Sequence, residues 1–206
     1  MELISQKYGE ILAENFRIQK TSLYFSKQYK VHREWHILGA AEAIYRQTGN
    51  VFPCYAGKRE QPDFDLFDAA GNIEYGLETT TVHPPDRKVH KHHRDWEKQG
   101  SKPRIHDDPG YTLHWEWLRE GIRKKSVLPY MAASALLVYF NVSLHDTIER
   151  NQDDFGLCIR EEWSRDSEGC FAVSSLRTSN IQSVHVLSAD MRSLATIFPG
   201  MRTISI

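Results

Sequence analysis

The hydrophobic pattern of the chain changes period several times, and each change marks an element. Over residues 31–50 (VHREWHILGAAEAIYRQTGN), apolar side chains recur at Trp35, Leu38, Ala41 and Tyr45. That is the spacing of one helical face, and the run closes on Gly49 and Asn50. Residues 61–82 (QPDFDLFDAAGNIEYGLETTTV) switch to alternation, with Phe64 and Leu66 interleaved with Asp63 and Asp65. A turn signal at 68–72 follows, and then Ile73, Tyr75 and Leu77 face away from Glu78 and Thr80. The spacing predicts a hairpin that turns Phe64, Leu66, Tyr75 and Leu77 toward a core and Asp63, Asp65 and Glu78 toward one shared space. Residues 112–127 (TLHWEWLREGIRKKSV) return to helical spacing, with Leu118, Gly121, Ile122 and Lys125 on one side. Residues 135–142 (ALLVYFNV) are apolar without alternation, as in a strand covered on both faces.

The flanks are less regular. Residues 2–19 carry Leu3, Ile4, Tyr8, Ile11, Leu12 and Phe16 at helical spacing, which predicts a packing helix or a homodimer helix. Beyond residue 155, the runs FGLCI, CFAVSSL, IQSVHVL and RTISI predict edge strands or added layers, with a short helix over 189–197. His145 and His185 are isolated, and a lone histidine is more often a satisfied structural side chain than a base. These elements together give an α/β fold with a central mixed β-sheet flanked by helices.

Length and composition bound this picture. A chain of 206 residues with 40% hydrophobic residues supports one sizeable core, so 1–206 is read as a single domain. Residues 82–111 differ in kind, holding five of the ten histidines and seven Lys or Arg against five Asp or Glu. Such a segment cannot bury itself, and a polar insertion at about 83–111 is expected to stand beside the acidic hairpin. Its cations Lys88, Lys91 and Arg94 are candidates for phosphate contacts, against the plainer reading of a solvated loop of mixed charge. A zinc site at His90, His92 and His93 is disfavoured, because no cysteine lies nearby and such sites need about three or four preorganised ligands. An HNH-type nuclease would rest on the same histidines without a supporting pattern.

A net charge of −1 argues against a surface coated in basic charge but leaves local patches open. Cys54, Cys158 and Cys170 show no paired spacing, so buried reduced thiols are expected. The N-terminus lacks a secretion pattern and no run approaches about 18 apolar residues, which implies a cytoplasmic protein without a membrane span.

The chemistry follows from the carboxylates. Asp63, Asp65 and Glu78 gathered together repel one another unless a hard cation neutralises them, and oxygen donors of this kind suit magnesium or manganese.

The succession of a helix bearing Glu34, Pro62-Asp63, a strand reaching Glu78-Thr79-Thr80, and a helix ending Ile122-Arg123-Lys124-Lys125 before Leu136-Leu137-Val138-Tyr139 resembles the PD-(D/E)xK, or restriction-endonuclease-like, nuclease superfamily. The resemblance covers residues 31–142. It implies a restriction-endonuclease-like fold and a magnesium- or manganese-dependent nuclease acting on DNA. By the same resemblance, Asp63 and Glu78 hold the metal, Glu34 assists, Asp65 shares or tunes the ion, and a lysine orients the attacking water. The motif here is PD…ExT, with Thr80 at the lysine position. Some members of that superfamily supply the lysine from the following helix, which makes Lys125 the candidate. Others keep the fold and lose the chemistry, so the alternative is a catalytically inactive protein of the same fold that binds nucleic acid or a protein partner.

Overall fold

The computed structural model describes residues 1–16, 24–82, 94, 98, 111–130, 133–140, 176, 179–199 and 202–205. The chain begins with β1 (Glu2–Leu3), α1 (Ile4–Asn15), a short 3-10 turn (Lys27–Tyr29) and α2 (Lys30–Gln47). Then follow β2 (Tyr55–Lys58), β3 (Phe64–Phe67), β4 (Ile73–Val82), α3 (Tyr111–Ser126), β5 (Ser134–Phe140), β6 (Ile181–Leu187), β7 (Ser193–Phe198) and β8 (Arg202–Ser205). The strands form one eight-stranded sheet in chain order. β4, β5 and β6 run parallel to one another and every other neighbouring pair is antiparallel, so the sheet is mixed.

Parallel neighbours need a crossover, and α3 supplies the one between β4 and β5. Helices consequently cover both faces, and β5 is buried at every position. Its residues divide by parity. Ala135, Leu137 and Tyr139 join a core with Ile4, Trp35, Leu38, Ile44, Phe64, Leu66 and Leu77 under α1 and α2. Leu136, Val138 and Phe140 join Leu118, Ile122, Tyr130, Val184, Val186 and Ile197 under α3. An unbroken apolar run is what a strand with two buried faces requires. Residues 141 and 142 of that expected strand lie outside the described residues.

α1 and α2 cross closely at Gly39, where a Cβ would stand 2.4 Å from the Tyr8 ring. Trp35 meets Phe64 edge to face with ring centroids 4.9 Å apart, which locks α2 onto the hairpin.

Phe64, Leu66 and Leu77 are buried and Tyr75 packs against them, as the alternation predicts, while Ile73 is exposed at the solvent end of β4. Three expectations need correction. The helix expected over 189–197 is a turn followed by β7. Asp190 accepts hydrogen bonds from Ser188 Oγ at 2.6 Å and Arg192 N at 3.1 Å, Met191 takes φ 58°, and Ser188 N reaches Ser193 O at 2.9 Å. The side-chain turn and pairing on both edges override local helical spacing. β6 and β7 are interior strands rather than edges, each being paired on both sides. Finally, Cys54 is exposed, because it precedes β2 outside the packed layers. FGLCI and CFAVSSL, with Cys158, Cys170 and His145, lie outside the described residues.

Candidate functional site

β4 is longer than its partner β3. Their pairing ends at Phe64 opposite Leu77, so residues 78–82 pair with β5 while their other edge is free of β3. Asp63, immediately before β3, closes that gap. Its Oδ2 accepts from Thr79 N at 2.8 Å and Thr79 Oγ1 at 2.7 Å. The approach is tight because Pro62 packs on Gly76, where a Cβ would lie 2.4 Å from Pro62 Cγ. Glycine at 76 therefore lets the chain before β3 come close enough to place Asp63.

Glu78, next to Thr79, points to the α3 face of the sheet. The last turn of α3 brings the Lys125 ammonium onto Glu78 Oε1. Ile122 is fully buried, which fixes that turn against the sheet. Lys124, one position before it, lies 3.5 Å from Glu120 on the outer side of the helix.

From the opposite layer, α2 contributes Glu34. Lys58, at the end of β2, places its Nζ 2.6 Å from Glu34 Oε2 and 3.5 Å from Asp63 Oδ1. The same ammonium donates to the Asp63 carbonyl at 3.1 Å and lies 4.4 Å from the Phe64 ring centre. Lys30 completes the group at 3.3 Å from Glu34 Oε1. Glu34, Asp63 and Glu78 are 5%, 4% and 4% exposed. Buried charges persist only when paired, and the three acids meet three lysines.

The electrostatics follow from this crowding. Burial pushes the Glu78 carboxyl above its ordinary value, with the Asp63 charge adding to it and Lys125 opposing. Burial works against the Lys30 ammonium most, yet Glu34, Asp63 and Glu78 together raise it. Burial also raises the Tyr130 hydroxyl, and the charges of Glu78 and Asp63 push it the same way.

The structure thus gathers Asp63, Glu78, Glu34 and Lys125, and leaves other candidates elsewhere. Asp65 is directed to Arg59, 2.9 Å away, and does not share the Asp63–Glu78 space. Strict alternation fails here because Asp63 precedes β3, on a chain turned by the contact of Pro62 with Gly76. Thr80 is half-buried opposite Val138, and it is Thr79 that binds Asp63. Arg94 is exposed, while Lys88, Lys91 and His90, His92 and His93 lie outside the described residues. His185 is satisfied by Thr196 Oγ1 at 2.9 Å and Ser183 Oγ at 3.0 Å, a structural role.

Lys58, Lys30, Thr79 and Tyr130 were not singled out by sequence. Only Lys30 carried a local signal, its four-residue spacing from Glu34 along one helix.

Among the described residues, no group of three or more His, Cys, Asp or Glu is arranged to hold a metal ion. Two hard oxygen donors, Asp63 and Glu78, stand together, and Glu78 Oε2 has no hydrogen-bond partner among those residues. No helix of the described residues is long and apolar enough to cross a membrane. Comparison with protein-family models, with curated proteins and with solved structures finds no match to this chain.

Proposed function

We propose that this chain is a divalent-metal-dependent nuclease that hydrolyses phosphodiester bonds in DNA, with magnesium or manganese held by Asp63 and Glu78. The observation that carries the reading is the convergence of three elements on two buried carboxylates. Asp63 comes from the residue just before β3, Glu78 from within β4, and Lys125 from the end of α3. The order helix, hairpin, helix, buried strand, with Glu34 on the first helix, follows the arrangement that the PD…ExT resemblance implies.

The donor set suits a hard cation, since both groups are carboxylates and one oxygen of Glu78 is unpartnered among the described residues. When bound, such an ion would make a water more acidic and offset negative charge on the phosphate. The protein's own groups do the rest. Thr79 and Lys58 fix the two oxygens of Asp63, so its orientation is set before any ligand arrives. Lys125 neutralises Glu78 and supplies positive charge for a phosphate oxygen or the attacking water.

One observation favours the alternative of a non-cleaving binding protein. Glu34, Asp63 and Glu78 are matched by Lys30, Lys58 and Lys125, so the site is neutralised without a cation.

Incubation of supercoiled plasmid with magnesium or manganese separates the two. Wild-type protein is expected to nick or linearise it, and Asp63→Asn and Lys125→Ala to lose roughly 100-fold or more in rate. Lys124→Ala, whose ammonium sits on Glu120, should stay close to wild type. Binding of manganese and DNA by wild-type protein without any cutting would favour the inactive relative.

A further inference from the structure

Tyr130 was marked by no motif, yet it follows directly on the turn that carries Lys125. The residue follows α3 in the connection to β5. Leu128 N bonds the Lys125 carbonyl at 3.1 Å, Tyr130 N bonds the Leu128 carbonyl at 2.9 Å, and the Asn180 side chain donates to the Tyr130 carbonyl. The turn that carries Lys125 to Glu78 therefore also fixes Tyr130. It belongs to the buried cluster that also holds Val82, Ile122 and Leu136, on the β4 face that bears Glu78. The residue is 3% exposed, and its hydroxyl has no hydrogen-bond partner among the described residues.

A buried hydroxyl without a partner is costly and demands an explanation. Glu78 Oε2 shares the condition. Among the described residues neither the Tyr130 hydroxyl nor Glu78 Oε2 finds a partner, and the two do not bond each other. Burial raises the Tyr130 hydroxyl, and the charges of Glu78 and Asp63 push it the same way, so its proton stays on. A hydroxyl that stays protonated is a hydrogen-bond donor and neither a nucleophile nor a base.

We infer that Tyr130 is a substrate-contacting residue of this site, whose hydroxyl donates to a non-bridging oxygen of a phosphodiester lying beside Asp63 and Glu78. The inference rests on the nuclease reading and extends it by a group that fixes the phosphate.

Tyr130→Phe removes the hydroxyl and keeps the ring. Three measurements test it: thermal unfolding without ligand, manganese titration, and fluorescence anisotropy of a phosphorothioate oligonucleotide in calcium. Tyr130→Phe should unfold no earlier than wild type, because it deletes an unsatisfied group, and should bind manganese equally well. Its oligonucleotide affinity should fall roughly ten-fold or more, the scale of one hydrogen bond to a charged oxygen. A purely structural tyrosine would not split metal from oligonucleotide binding. Equal oligonucleotide affinity in the two proteins overturns the inference, assigns the hydroxyl to a buried water, and leaves the nuclease reading standing. Wild-type protein that binds neither manganese nor oligonucleotide overturns both.

Discussion

Glu78 shows what burial does to a single side chain. Its carboxyl is held above the ordinary range by burial, so the stability linked to it is fully present below the unfolded-chain pKa and is lost as pH rises through the folded one. In its ionised form, Glu78 works against the fold unless a cation compensates it. Glu78→Gln is therefore expected to match or exceed wild type in thermal stability at pH 7.5 without metal, while losing manganese binding. Lys125 limits the gain, since it would lose its partner, but its side chain is partly exposed and can turn to water. A calorimetric scan and a manganese titration on the same variant check both halves, and a large loss of stability would mean that the Glu78–Lys125 pair is structural. Asp65 teaches the complementary lesson: of two acidic residues flanking Phe64, the one satisfied by a surface arginine is removed from the site.

Among the elements, the junction of β3 and β4 decides the position of Asp63. Gly76 has room for no side chain, because Pro62 Cγ would stand 2.4 Å from a Cβ there and Ser134 Oγ 3.0 Å from it. The proline ring is not the free end of a flexible side chain, so it must move as a unit and Asp63 with it. Gly76→Ala is expected to lower stability by about 1–3 kcal/mol, the usual cost of overpacking, and to weaken manganese binding further than that loss explains. Urea denaturation with a metal titration measures the two effects, and a variant with unchanged metal affinity would show that Asp63 is held by Thr79 alone. The same junction explains why the strand-pairing reading was legible and its exact outcome was not. Phe64, Leu66 and Leu77 declared their faces by alternation, whereas the place where β3 gives way to β4 alone has no signature in the string of residues.

Across the whole molecule, two histidines tie stability to pH. His36, bonded to the Tyr24 hydroxyl at 2.7 Å between α1 and α2, and His185, within the sheet, are both brought down by burial to about 4 from 6.5. Below pH 6.5 the unfolded chain takes up protons that the folded chain refuses, so stability present above 6.5 is lost as pH falls toward 4. Each ring contributes on the order of 2–3 kcal/mol at neutral pH. Urea midpoints should drop steadily between pH 7 and 4.5, and the ring-proton resonances of both histidines should show no inflection above pH 5. Midpoints independent of pH would mean that these rings reach solvent before they protonate.

What the amino-acid sequence determined was periodic and local. Trp35 and Leu38 repeat as a helix face does, Phe64 and Leu66 alternate, and residues 135–140 run apolar, because burial acts on every turn or every second residue and leaves its period behind. That Asp63 and Glu78 belong to one hairpin was readable too, although Asp63 reaches its place through the contact of Pro62 with Gly76 rather than by alternation. Only the tertiary structure decided which distant polar groups share their space. Lys125 meets Glu78 across 47 positions of chain, as the family resemblance suggested a helix lysine could. Lys58 arrives from a strand whose composition advertises nothing, and Thr79 rather than Thr80 turns to Asp63. A polar group owes its place to the single partner that satisfies it, and a partner fixed by sheet order and helix packing leaves no period to read.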